Sequence, residues 1–240
     1  IKQSLSQITK NAAPNDRVII FFAGHGETLD LPEGGELGFF MPWDGDITDL
    51  FSTSIPMDDL QKISSMSKAK HVLFLVDACY GGLAAVGSRG LNSSTPNFIE
   101  KILRDKARQI ITAGGRGEQV IEKAEWGHSA FTKNLISGLL YGYADFNSDG
   151  VITATELGNF LRNGVTIDSE GEQTPYVRRL SSDEGEFIFM VKENISEEEN
   201  VLFPYIRTIE KFLTNQIKEE ELMVAMQSFS IEHFEAKHNH

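Results

Sequence analysis

Two residues that can do nucleophilic chemistry together follow two apolar segments of the chain. His25 lies in Ala-Gly-His-Gly after the apolar run 18–22, and Cys79 lies in Asp-Ala-Cys-Tyr-Gly after the apolar run 72–76. A thiol is an efficient nucleophile when a neighbouring group handles its proton, and a leaving amine needs an acid. A histidine beside a cysteine would supply both functions. The pair therefore indicates covalent hydrolysis by a cysteine nucleophile.

The elements around these residues predict that the two motifs meet. Strand-like segments at 18–22, 38–41, 72–76, 108–113 and 186–191 alternate with helix-like segments at 1–10, 58–65, 97–106 and 130–140, and with a short helix ending near residue 162. This alternation predicts an α/β fold in which helices flank a mostly parallel central sheet. Ligands bind at the carboxyl ends of strands in such sheets, which is where both motifs lie.

Composition narrows the classes of function and the cellular setting. The chain has 240 residues and a formal net charge of −13, which argues against a nucleic-acid binder. No apolar run reaches the roughly 20 residues that span a bilayer, so no membrane span is predicted. The single cysteine excludes a disulfide within the chain and fits a reducing compartment, so we expect a cytoplasmic protein. Because the chain starts at Ile1, inside a predicted helix, we expect that its true N-terminus is missing.

The two main motifs carry a resemblance to a known family. Phe-Phe-Ala-Gly-His-Gly and Val-Asp-Ala-Cys-Tyr-Gly-Gly place His25 54 residues before Cys79, and shorter motifs follow at 38–42, 111–115, 127–132 and 173–175. In order and spacing they resemble the metacaspase, paracaspase and bacterial branch of the caspase-like cysteine peptidases. The resemblance covers about residues 1–191. It implies a caspase-like sandwich and an endopeptidase that acts on protein or peptide substrates.

The same resemblance implies a role for each matching residue. Cys79 is the nucleophile, and His25 protonates the leaving amine and later activates water. The backbone N–H groups of Gly26 and Cys79 form the oxyanion hole. Residues 83–96 match the linker between the large and small subunit regions of the family. Cleavage after Arg89 is one hypothesis for this linker, and an uncut loop is the favoured alternative. The family's first strand, central in its sheet, has no counterpart here.

Two acidic residues are candidates for substrate selection. Asp77 lies two residues before Cys79 on the same predicted strand, so its side chain should point to the same side. A carboxylate there would attract a cationic side chain, and the peptidases that the motif resembles cleave after Arg or Lys. Glu118, after the third strand, is a second acidic candidate. The alternative is that Asp77 binds backbone amides and only shapes the loop.

A separate motif predicts a calcium site of the EF-hand type at residues 145–156. The oxygen ligands would be Asp145, Asn147, Asp149, the carbonyl of Val151, Thr153 and Glu156. Gly150 supplies the sharp turn of such a loop. The alternative is a metal-free loop in which Asp149 and Thr153 cap the following helix.

The last part of the chain differs in composition from the rest. Residues 192–240 are acidic, with apolar residues at helical spacing, and predict a helical element that contacts another domain or partner.

Three other functions are alternatives to a metacaspase-like peptidase. They are a catalytically weak signalling scaffold of the same fold, a calcium-binding module, and a legumain-like or separase-like peptidase.

Overall fold

A computed structural model describes residues 1–78, 96–115 and 117–191 of the chain. The chain divides into two compact units, residues 1–121 with 129–191 and residues 122–128 with 192–240. The central sheet and the strand ends of interest belong to the first unit. Within the described part of the chain, no helix is both long and apolar enough to cross a bilayer.

The described residues form six α-helices and eleven β-strands. The helices are α1 (Lys2–Asn11), α2 (Leu50–Thr53), α3 (Asp59–Met66), α4 (Pro96–Arg104), α5 (Ala130–Leu140) and α6 (Ala154–Asp168). The strands are β1 (Arg17–Ala23), β2 (His25–Asp30), β3 (Glu36–Met41), β4 (Ile55–Pro56), β5 (His71–Asp77), β6 (Ala107–Thr112), β7 (Glu122–Lys123), β8 (His128–Ser129), β9 (Val151–Thr153), β10 (Tyr176–Arg179) and β11 (Ile188–Met190).

The central sheet has the strand order β1-β5-β6-β10. β1 and β6 run parallel to β5, and β10 is antiparallel to β6. Every residue of β5 and β6 is buried. β5 contains the continuous apolar run 72–76, as expected of a strand covered on both faces, whereas β6 includes the buried polar residues Arg108, Gln109 and Thr112. Leu60 of α3 packs in one cluster with Phe74 and Val76, and α6 contacts β6 and β10. The predicted α/β fold with a mostly parallel sheet flanked by helices is confirmed.

The described residues also form three smaller sheets. β2, β3 and β4 form an antiparallel sheet, β9 pairs with β11, and β7 pairs with β8. α6 approaches β10 closely, because a Cβ on Gly158 would come within 1.7 Å of Cγ2 of Val177. A side chain at position 158 would therefore push α6 away from the sheet.

The predicted elements differ from the observed ones mainly outside the core. The helix 130–140 is confirmed to the residue, and the strands predicted at 72–76 and 108–113 are β5 and β6 within one residue at each end. α6 continues to Asp168 rather than ending near residue 162, and β2 and β10 were not predicted. The predicted helical element 192–240 lies outside the described residues.

Candidate active site

The ends of β1 and β5 lie side by side at the carboxyl edge of the sheet. Ala23 is the register partner of Asp77, and the backbone N–H of Gly24 donates to the carbonyl of Asp77 at 3.1 Å. His25 and Cys79 each lie two residues beyond this pair. Cys79 is outside the described residues, so its distance from His25 stays a prediction. The pairing brings together Gly24 and Asp77, which immediately precede His25 and Ala78 in the two motifs.

His25 is presented by an antiparallel hairpin whose base is buried. It is the exposed first residue of β2, where it pairs with Met41 of β3. The next pair joins half-buried Gly26 to Phe40, which is 3% exposed. The ring of Phe40 packs against the ring of Phe22 with centroids 4.6 Å apart. The backbone beneath His25 is thus fixed by packing while its imidazole reaches solvent.

Asp77, by contrast, is buried at the start of helix α5. It is 5% exposed, and its Oδ2 accepts hydrogen bonds from Oγ of Ser129 at 2.5 Å and Oγ1 of Thr132 at 2.6 Å. Ser129 is also the N-cap of α5, because its Oγ accepts from the backbone N–H of Thr132. Hydrogen-bond donors and the positive end of a helix both stabilise an ionised carboxylate.

The partners of Asp77 were not assigned from the sequence. Ser129 and Thr132 lie in the motif Gly-His-Ser-Ala-Phe-Thr, which the sequence marked only as part of the family resemblance. Ser before a helical segment, with a second hydroxyl three residues on, is a recognisable N-cap signal. What the sequence could not show is that this cap meets a strand end 52 residues away.

Glu118 fastens the loop that follows β6. Its Oε2 accepts from the backbone N–H groups of Gly115 and Thr174, both at 2.8 Å. Gln173, which is fully buried, donates to the carbonyl of Ala113 and accepts from the N–H of Ile121. The Gln-Thr-Pro motif therefore holds the loop after β6 against the segment after α6. Glu118 thus supports the loop after β6 through backbone contacts.

The loop 145–156 adopts a turn closed by its own side chains. The two carboxylate oxygens of Asp145 accept from the N–H groups of Asp149 and Gly150. Gly150 has φ 78°, the left-handed conformation that glycine accepts without strain. Ile152 is fully buried. This arrangement places oxygen-bearing side chains of a hard-cation donor set around one turn.

Glu156 is turned toward the helix start. Its Oε2 accepts from the N–H and the hydroxyl of Thr153, forming a capping box, and its Oε1 accepts from Nδ2 of Asn147. Burial raises the pKa of the Glu156 carboxyl, and the charges of Asp149 and Asp145 add to the rise. Among the described residues, no three His, Cys, Asp or Glu side chains gather into a ready metal cage.

Comparison with known proteins identifies one family. The sequence profile described as "Caspase domain" matches residues 1–184. No curated protein matches the chain. Among solved structures, protein GSU0716 from Geobacter sulfurreducens is similar with a TM-score of 0.46 and 16% identity, over 80% of this chain and 72% of that one. At that level the likeness says nothing about function.

Proposed function

The chain belongs to the caspase domain family, and on that premise we propose that it is a cysteine endopeptidase with His25 and Cys79 as its catalytic dyad. The observation that carries the proposal is the register of β1 against β5. Ala23 pairs with Asp77, His25 follows Ala23 by two residues, and Cys79 follows Asp77 by two residues. Paired strands lie about 4.8 Å apart, so we expect the side chains of His25 and Cys79 to start within reach of one substrate bond.

The proposed reaction needs no group beyond these residues and water. The Cys79 thiolate attacks the carbonyl carbon, and the N–H groups of Gly26 and Cys79 stabilise the oxyanion. The C–N bond breaks as His25 gives its proton to the leaving amine, which leaves a thioester on Cys79. His25 then takes a proton from water as the water oxygen attacks the thioester, and the C–S bond breaks, which releases the carboxylic acid and restores the Cys79 thiolate beside protonated His25.

The exposure of His25 supports this role. A general acid has to reach a solvent-accessible peptide, and His25 is exposed on a fixed backbone. Covalent labelling of Cys79 by iodoacetamide, together with hydrolysis of an internally quenched peptide library, tests the proposal. Cys79→Ala should abolish both signals while the thermal unfolding midpoint stays that of the native protein. Hydrolysis by the purified Cys79→Ala protein would refute the dyad.

For specificity, we propose cleavage after Arg or Lys, with Asp77 as the acidic residue of the pocket and Glu118 as a second acidic residue nearby. The carboxylate of Asp77 is buried and anchored at the start of α5, so its charge stands at a fixed position. A charged hydrogen bond from a guanidinium is favourable there, whereas an aspartate of the substrate would be repelled.

Peptides that differ only before the scissile bond test this specificity. Arg or Lys should exceed Asp by about 100-fold in kcat/KM, since a difference of this size is modest for a charge mismatch. Asp77→Asn keeps the shape of the side chain and should remove most of the difference without preventing alkylation of Cys79. An unchanged Arg preference in Asp77→Asn would refute the role.

We also propose that loop 145–156 binds one calcium ion through Asp145, Asn147, Asp149, the carbonyl of Val151, Thr153 and Glu156. The supporting observation is the backbone turn around Asp145 and Gly150, with Ile152 packed inward. Glu156 must leave its capping bonds to Thr153 to provide two oxygens, which predicts modest affinity.

Calorimetry with calcium alone tests the site. One binding event is expected, and Glu156→Gln should abolish it because the last position of such loops normally supplies two oxygens. Glu33→Gln, which removes an exposed carboxylate elsewhere, is the matched control and should bind as the native protein does. No heat at millimolar calcium would leave the loop as a metal-free helix cap.

A further inference from the structure

An almost fully exposed tryptophan lies next to the strand pair that carries His25. Trp43 is 97% exposed. It is the second residue of a β-turn formed by residues 42–45. The backbone N–H of Gly45 donates to the carbonyl of Pro42 at 3.0 Å and closes this turn. Large aromatic side chains usually lose most of their surface on folding, so an indole that is left almost fully exposed is accessible to another molecule.

The turn holds Trp43 in a defined place. A Cβ on Gly45 would come within 2.3 Å of Sδ of Met41 and 3.1 Å of the carbonyl oxygen of Pro42, so the turn is folded tightly onto the end of β3. The following segment is fixed as well, because Asp46 accepts from Thr48 and its N–H donates to the hydroxyl of Thr53. The indole therefore belongs to a loop that is held by its own hydrogen bonds.

The register of the hairpin sets how far Trp43 lies from His25. Met41 is the partner of His25, and cross-strand partners have Cα atoms about 4.5–5.5 Å apart. Trp43 is two residues further on, which adds at most about 7 Å. Its Cα is therefore within about 13 Å of that of His25. An extended peptide advances about 3.3 Å per residue, so this upper limit corresponds to about four substrate residues and places Trp43 beside the substrate segment that adjoins the scissile bond.

We propose that Trp43 is a specificity-determining platform for the substrate residue that directly follows the scissile bond, and that it selects a large apolar or aromatic side chain there. The inference rests on the proposed cysteine endopeptidase function. His25 has to meet the leaving amine, and that amine belongs to the residue after the cleaved bond. A surface beside His25 consequently faces the leaving half of the substrate, whereas Asp77 faces the residue before the bond.

The chemistry of the loop supports an apolar occupant. Ile47 and Phe51, on successive turns of the segment that follows, are also exposed, at 64% and 73%. Stacking of an aromatic or aliphatic side chain on the indole removes apolar surface of both partners from water. A serine or aspartate in the same position gains little from the ring.

Matched peptides separate this proposal from the proposed function. All carry Arg before the scissile bond and differ only in the next residue, which is Phe, Leu, Ser or Asp. Phe and Leu should exceed Ser and Asp by about 10- to 100-fold in kcat/KM, a range typical of apolar side-chain discrimination. Trp43→Ala should remove this difference, and Trp43→Phe should retain part of it. Tyr143→Ala, which removes an exposed aromatic residue elsewhere, should leave it unchanged.

A substrate with a small fluorogenic amide after Arg provides the second arm. This substrate has no amino-acid residue after Arg, so its cleavage by the native protein reports the hydrolysis itself, whichever way the Trp43 variants behave on the matched peptides. If the native protein cleaves neither substrate type, the endopeptidase function fails and this inference with it. If it cleaves the fluorogenic amide but shows no apolar preference after the bond, or keeps that preference in Trp43→Ala, only the role of Trp43 is overturned.

Binding can also be followed without turnover. The chain has two tryptophans, so Trp126→Phe leaves Trp43 as the sole indole. In the combined Cys79→Ala, Trp126→Phe protein, the peptide with Phe after the bond should shift the Trp43 emission to shorter wavelength, and the Ser peptide should not. Equal spectra with both peptides would contradict the proposed contact.

Discussion

β1 and β5 run side by side in the same register, yet their ends differ. β5 lies between β1 and β6, and all seven of its residues are buried, including Asp77 at its end. Among the described residues β1 pairs with β5 alone in this sheet, and Ala23 and the following His25 are exposed. The buried end of β5 carries a group that the rest of the fold fixes, and the exposed end of β1 carries a group that can meet another molecule. The candidate site needs both kinds.

The largest expected effect tests the exposed end. His25→Ala should lower kcat/KM for a cleaved peptide by about 1,000-fold or more, in the range seen when catalytic residues are removed. Because His25 is exposed, the free energy of unfolding in urea should stay within about 0.5 kcal/mol of the native value. A large loss of stability in His25→Ala would mean that the end of β1 is structural, as the end of β5 is.

The buried end should respond in the opposite way. Asp77→Ala removes the acceptor of the Ser129 and Thr132 hydroxyls, and bonds to a charged group contribute about 1.5–3 kcal/mol each. A loss of about 2–4 kcal/mol in urea unfolding is expected, less than the sum because the hydroxyls can reorient. Asp30→Ala, at an exposed position, should unfold as the native protein does.

A smaller effect is expected in the loop after β6. Glu118→Gln keeps an oxygen for the N–H groups of Gly115 and Thr174 but removes its charge. Stability in urea should fall by about 1 kcal/mol, the difference between charged and neutral hydrogen bonds. The exposed Glu172→Gln is the matched control. No difference between the two variants would show that the charge of Glu118 is not part of the loop's support.

The smallest effect concerns pH and the other end of β5. Burial lowers the pKa of His71 below its usual 6.5, and the charge of Arg17 lowers it further. The unfolded chain therefore binds a proton at higher pH than the folded one. The contribution of neutral His71 to the free energy of unfolding is fully present above about pH 6.5. It is lost as the pH falls toward the lower pKa that His71 has in the folded protein.

Urea unfolding at pH 7.5 and 5.5 measures this dependence. His71→Phe should lose less stability on acidification than the native protein, because it has no proton to take up there. The reverse result would contradict the comparison of the two strands.

The core could be predicted from the sequence because its signals are local. β5 contains the continuous apolar run 72–76, β6 includes the adjacent apolar residues Ile110 and Ile111, and α5 begins after the N-cap Ser129. β10 escaped prediction because Arg178 and Arg179 do not indicate a strand. Arg179 is nonetheless buried: it pairs with Glu186 and donates to the carbonyl of Gly185.

The site was predictable in its motifs but not in its contacts. His25 and Asp77 were identified from the strand ends where they lie. The hydrogen bond from Ser129 to Asp77 and the one from Gln173 to Ala113 each join residues more than 50 positions apart, and no local sequence pattern shows such a contact. Trp43 carried no sequence signal, because exposure of an aromatic residue depends on how the turn after β3 folds.

The contacts across β5 have a consequence for chain scission. A nick in the predicted linker 83–96 would break the backbone, but β5 would remain paired with β6 over six register positions, and Asp77 would still hold Ser129 and Thr132. The two fragments would share one hydrophobic core, since Phe74 and Ile110 belong to the same buried cluster. They should therefore copurify as a non-covalent heterodimer and separate only when the sheet itself unfolds.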